Sequence, residues 1–258
     1  SGASTSARTT LQAMNRRQAI YKPSTSSTGG HVLLFSAKTN IALVGLVIDG
    51  ADLTFDTIKL QSSSTGMLFD DLELRNSKSQ GLLCQSSANG ILRNSYVHHS
   101  GDSVNGLEHG IYLNTGCDNW VIEHNELAYN SGISAQLYAQ PKNTLFQYNY
   151  IHDNCDLSTG GLQELQISHE SHLVLRNVVV STKCRVGIQI SLQGPLNNKV
   201  RQNSVYCLSG TCAVHAGGIG IANYGTSTEI ADNIVLGYTN QLGGTGTGSL
   251  IDNLVTGT

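Results

Sequence analysis

Histidine, tyrosine, glutamine and a few charged residues recur in this chain at positions where a flat protein face could use them. In Gly110-Ile111-Tyr112-Leu113, strand alternation puts Ile111 and Leu113 on one side and Tyr112 on the other. The same alternation predicts Gln136 and Tyr138, Glu164 and Gln166, and Gln189 as outward residues of later strands, over inward Leu137, Leu165, Ile167, Ile188 and Ile190. Glu108 and His109 directly precede the first of these strands, Lys183 and Arg185 precede the strand of Gln189, and His215 precedes Gly218–Ile221. Three loops containing His98, His99 and Asp102, then His152, Asp153 and Asp156, then His169 and His172, are expected beside the same face. Six of the nine histidines (98, 99, 109, 152, 169 and 215) thus flank one predicted surface, whereas a merely solvated sheet needs no such enrichment.

Three chemistries suit such a surface. Elimination across a uronic-acid linkage needs a group that neutralises the sugar carboxylate, a base for the C5 proton and an acid for the leaving oxygen. His109, Tyr112, Tyr138, Lys183 and Arg185 are of the right types, with Glu108 beside them. Calcium is the alternative neutraliser, held by hard oxygens such as those of Asp102, Asp153, Asp156 or Glu164. Glycoside hydrolysis needs two carboxylates at a set separation, and Glu108 with Glu164 or Asp156 is the best pair available. Simple binding needs only the aromatic and amide groups. Tyr138, Gln136, Glu164, Gln166, Gln189, His169 and His215 are the expected substrate contacts, and Asp153 and Asp156 the expected metal ligands.

What positions these groups is a repeat. Aligned positions Leu46, Leu72, Ser95, Asn125, Asn149, Asn177, Asn203, Asn233 and Asn253 follow one another at irregular intervals, and the last six are all Asn. An apolar residue stands three before each Asn (Ile122, Phe146, Val174, Val200, Ile230, Leu250) and another two after it (Leu127, Ile151, Val179, Val205, Val235, Val255). Constant internal phase with variable spacing means conserved strands joined by loops of different length. No run sustains the 3.6-residue period of a helix. Short strands stacked in parallel about 4.8 Å apart fit, each unit burying its apolar side against its neighbours. The six Asn then form a ladder whose amides satisfy backbone groups inside a bend. His124, next to that ladder, reads as structural.

Composition agrees. The chain has 28 Gly, 3 Pro, 39% hydrophobic residues and only 13% charged residues, as tight turns between short strands require. A net charge of −3 excludes the basic footprint of a nucleic-acid binder, and the longest apolar run, Ile41–Ile48, is too short to span a bilayer. No basic segment followed by an apolar stretch opens the chain, so any signal peptide is already removed or never existed. Cys207 and Cys212 are near enough for a local disulfide, and Cys155 and Cys184 share nearly the same phase in neighbouring repeats, so a bridge between coils and an oxidising compartment are expected.

The Asn ladder and the Gly-Ile-x-Leu strands, over about residues 31–256, resemble the right-handed parallel β-helix of the pectate-lyase-like superfamily. The resemblance implies one all-β solenoid domain over 1–258, of about nine coils, with residues 1–30 as an N-terminal strand and cap region. It also implies a secreted, carbohydrate-active monomer acting on an extended, acidic polysaccharide, by elimination rather than hydrolysis, or else a glycan-binding or surface-structural protein. The Arg-x-Pro-x-x-Arg stretch of pectate lyases is missing, as are the Asp-Pro-His-Asp of mannuronan epimerases and the Asn-Thr-Asp and Gly-His-Gly of polygalacturonases. Asp70-Asp71 stands without those partners, and no catalytic residue carries over from the resemblance.

Overall fold

A computed structural model describes residues 2–24, 29–102, 107–155, 163–191, 197–208, 212 and 218–256. The chain winds through three parallel sheets in turn. The first runs from Thr9–Gln12 and Ile41–Val44 to Gly248–Ile251, the second from Ala19–Tyr21 and Leu46–Asp49 to Leu254–Thr256, and the third from His31–Ser36 to Asn240–Gly243. Among the described residues they hold ten, ten and nine strands. The expected phase holds throughout, and Ala19 opposite Leu46 opens the column one turn before the nine positions read from the sequence.

Each coil contributes one or two apolar side chains per sheet to a continuous interior. Ile122, Phe146 and Val174 project from the first sheet, Leu127, Ile151 and Val179 from the second, and Leu113, Leu137 and Ile167 from the third, all with no exposed surface. Strands of three to six residues suffice because stacking, not strand length, removes this surface from water.

From the third coil onward the bend from first to second sheet takes two residues. One lies in the left-handed region, as do Asn94 (φ 52°), His124 (φ 55°), Tyr148 (φ 54°), Arg176 (φ 53°) and Gln202 (φ 54°). A left-handed L-residue costs about 1–2 kcal/mol, so repeating it needs compensation. The ladder supplies it. Asn149 Nδ2 donates to Asn177 Oδ1 at 3.0 Å and to the Ile122 carbonyl at 3.0 Å, while its backbone N–H donates to the same Asn177 oxygen at 2.9 Å. The pattern repeats from Asn125 to Asn253, and Ser95 continues it upstream by accepting the Leu72 N–H at 3.0 Å. His124 stacks on Tyr148 beside this ladder, its rings 4.9 Å apart. A second, shorter ladder, not expected, links Asn130 Nδ2 to Asn154 Oδ1 at 2.8 Å where the chain leaves the second sheet.

Disulfides join Cys155 to Cys184 and Cys207 to Cys212, as expected. A third joins Cys84 to Cys117.

Candidate functional site

The third sheet presents an outward column of Lys59, Leu83, Tyr112, Gln136, Gln166, Gln189 and Ala222, each directly opposite the next. Its centre is a hydrogen-bonded strip of amides. Gln136 Nε2 donates to Gln166 Oε1 at 2.7 Å, Gln163 Nε2 donates to the same oxygen at 2.8 Å, and Gln166 Nε2 donates to Ser191 Oγ at 2.7 Å. Gln189 Nε2 reaches Ser191 Oγ at 3.3 Å. Tyr112, half-buried, sits at one end of the strip. Burial, then the neighbouring Tyr138, raises the Tyr112 pKa, so its phenol holds its proton firmly.

His109 sets the direction of the strip. The Ile133 N–H donates to His109 Nδ1 at 3.2 Å, which leaves the neutral ring its proton on Nε2. The ring hydrogen-bonds the Gln136 side chain, so the Gln136 carbonyl accepts and its NH2 turns to Gln166. Burial drives the His109 pKa down to about 4 against the raising effect of Gln136, so the ring is neutral at pH 7. His109 is therefore a positioning group and not the surface base expected from sequence. It is 2% exposed, and its backbone N–H donates to Gln80 Oε1 at 2.7 Å.

Glu164 is a second correction. Alternation placed it outside, yet it has no exposed surface. The strand bends as it enters the sheet, so Glu164 and Leu165 both face inward. Glu164 stands in register with Ser134 and Gly187, and a Cβ at Gly187 would collide with Val205 and Tyr238 of the interior corner. The Glu164 carboxyl accepts from Asn154 Nδ2 at 2.9 Å, at the end of the short ladder, and burial pushes its pKa up to about 8. It is a protonated interior group and supplies neither half of a hydrolytic pair nor a metal ligand.

The other expected residues are dispersed. Glu108 accepts the Asp102 N–H at 3.1 Å on the rim before Tyr112. Lys183 and Arg185 are exposed at the start of the strand that carries Gln189. Three strand steps, roughly 14 Å, separate that strand from Tyr112, so one monosaccharide cannot touch both ends. His169 lies beyond the opposite end of the third-sheet strands, where its carbonyl accepts from Asn198 at 3.0 Å. Asp153 is bound to His152 Nδ1 at 2.8 Å and to Thr182 Oγ1 at 2.8 Å. Burial works to raise its pKa, but those bonds and the charges of His152 and Lys183 carry it below the usual carboxylate range. Among the described residues no three His, Cys, Asp or Glu side chains gather as a metal site. Asp156 and His215 lie outside the described residues.

Nor do the histidines share one face. His98 and His152 lie on the outer face of the second sheet, each stacked on a tyrosine two residues earlier, Tyr96 and Tyr150. Sequence reasoning missed Glu73, Tyr96, Glu126, Tyr129 and Tyr150 there. The signal was available, because Glu73/Glu126, Tyr96/Tyr150 and His98/His152 recur at 53 or 54 residues (126 − 73, 150 − 96, 152 − 98).

Solved structures share the architecture. An alginate lyase from Paenibacillus sp. str. FPU-7 superposes with a TM-score of 0.73 at 15% identity, covering 96% of this chain and 85% of that one. Pectate lyase Pel9A gives 0.62 at 11% identity, covering 96% and 72%. The A-module of the Azotobacter vinelandii mannuronan C-5 epimerase AlgE4 gives 0.57 at 13%, covering 97% and 83%. No curated protein matches the chain. Residues 57–253 match the family model described as "Right handed beta helix region", and with three-quarters of its length inside that match the chain belongs to this right-handed β-helix family.

Proposed function

We propose that this protein is carbohydrate-active, binding an extended acidic polysaccharide along the outward column of the third sheet and cleaving it by β-elimination. The observation that carries the reading is the unbroken, in-register strip Tyr112–Gln136–Gln166–Gln189. It offers phenol and amide groups at one strand spacing, about 4.8 Å, along the axis a linear polymer would follow. The names of the alginate lyase, pectate lyase and epimerase that share the fold support the same substrate class.

In this reading the Gln136 and Gln166 amides hydrogen-bond the uronate carboxylate and stabilise the charge that develops on it when C5 loses its proton. Tyr138, the other phenol beside Tyr112, is the group assigned to take that proton. The C4–oxygen bond breaks as the C4=C5 double bond forms, and Tyr112 gives its proton to the leaving oxygen. Burial keeps the Tyr112 proton in place until the leaving oxygen takes it, in keeping with its raised pKa. Lys183 and Arg185 hold carboxylates of sugars further along. Hydrolysis is less well supported, because none of the residues in the outward strip is acidic. Three disulfides favour a location outside the reducing cytoplasm.

The test is ultraviolet absorbance of the unsaturated product on pectate, alginate and glucuronan. A rise on one polymer, abolished in Tyr112→Phe and Tyr138→Phe, supports the assignment. No rise and no new reducing ends on any of them overturns it.

A further inference from the structure

The outer face of the second sheet carries one arrangement twice. Tyr96 stacks on His98 with ring centroids 3.9 Å apart, and His98 Nε2 lies 3.3 Å from Glu73 Oε1 on the preceding strand. Two coils on, Tyr150 stacks on His152 at 4.2 Å, and His152 Nε2 lies 3.2 Å from Glu126 Oε1 on the preceding strand. The register is direct, with Glu73, Tyr96, Glu126 and Tyr150 opposite one another on successive strands. Tyr129 joins the two sets, its ring 5.4 Å from His99 and 5.6 Å from His152. A reaction needs one constellation. Two copies displaced along one axis suit a ligand that itself repeats.

The displacement is two strand spacings, roughly 10 Å. An extended peptide repeats its side chains every two residues, about 6.6 Å, and falls out of step. An extended 1,4-linked glycan presents alternate sugars at about two strand spacings and stays in step. Charge narrows the class further. Glu126 is half exposed, Asp153 lies beside His152, and Glu73 has Arg75 as its counter-ion at 2.6 Å. The carboxylates Glu73, Glu126 and Asp153 thus outnumber the guanidinium of Arg75 around the two sets. Such a face repels polyuronates and attracts ammonium groups.

We propose that this face is a second glycan-binding site, separate from the third-sheet strip, which takes a 1,4-linked amino-sugar polymer with alternate residues seated on the two Glu–Tyr–His sets. The inference does not depend on the elimination reading, since neither site shares a residue with the other.

Calorimetric titration with chitosan oligosaccharides tests it. A tetrasaccharide spanning both sets is expected to bind at least about tenfold more tightly than a disaccharide, because the second contact is intramolecular. Glu126→Gln and Tyr150→Ala are each expected to weaken the tetrasaccharide by about tenfold through loss of a charge-assisted or ring contact. Tyr112→Phe leaves it unchanged, and unaltered melting curves show that the variants fold. Equal affinity for the two lengths, no loss in Glu126→Gln, or equally tight binding of a lysine oligomer or of the fully acetylated tetrasaccharide overturns the proposal.

Discussion

The outer faces of the second and third sheets are built from the same coils, yet they are organised in opposite ways. On the third sheet the outward side chains bond to one another across strands, and no two coils present the same group in the same setting except the glutamines. On the second sheet a set of three residues recurs whole, each set linked by its own Glu–His contact between neighbouring strands. The difference follows from what precedes each sheet. From Asp71-Leu72 onward the second is entered through a two-residue bend, held by the Asn ladder from Asn125, so its strands start in the same phase. The third is entered through loops of different length and a bent segment where His109 and Glu164 turn inward. Regular entry favours a periodic surface, and irregular entry a singular one.

If that contrast is right, the faces separate under mutation. The largest effect is expected from Tyr112→Phe, which should lower the elimination rate by about a thousandfold in a steady-state absorbance assay and leave oligosaccharide titration of the second sheet untouched. Loss of both together would break the contrast. Next, Asn177→Ala removes an oxygen that accepts the Asn149 N–H and side chain and an amide that donates to the Phe146 carbonyl. It should cost about 3 kcal/mol in urea unfolding, and both faces, which hang on this ladder, should weaken together. Gln166→Leu deletes the node that joins Gln136, Gln163 and Ser191. A fall in kcat of about a hundredfold would mark it as a group that stabilises the developing charge, and a rise in KM alone would reduce it to a substrate-holding group.

The smallest effect concerns pH at the corner between the two sheets. The folded pKa of Glu164 is raised from 4.5 to about 8, so the fold binds this proton more tightly than the unfolded chain does. Its contribution is fully present below pH 4.5 and is lost as pH rises toward 8. Melting temperature should therefore fall over that window by about 3 °C for each kcal/mol lost, and Glu164→Gln should flatten this part of the profile. An unchanged slope in the variant would remove Glu164 from the account.

Much of the fold was legible because its signals are local. The apolar residue three before each Asn and two after it marks the two strands that flank the bend, and Cys155 and Cys184 share a phase, so their bridge followed. Cys117 lies in a turn with no phase to read, and its bridge to Cys84 went unforeseen. On the third sheet, alternation found Tyr112, Gln136, Gln166 and Gln189 because it holds inside the strand. It failed at Glu164, where two consecutive residues face inward, and at His109, where burial rather than spacing decides the role. The second-sheet residues were missed for a geometric reason. Its strands expose residues on either side of a single inward one, as Tyr96 and His98 flank Val97, and such residues read as loop.

The bend between first and second sheets is also a splice point. From Asn125 onward every coil there offers the same pair, a left-handed residue followed by Asn, and the Asn149 amide shows how it bonds to the coils on both sides. Tandem duplication of the 24 residues from one Asn to the next, as between Asn125 and Asn149, would insert a coil whose hydrogen bonds are already provided for. The length of polymer such a scaffold can grip is then set by copy number, and genetic slippage becomes a route to longer ligands without new chemistry.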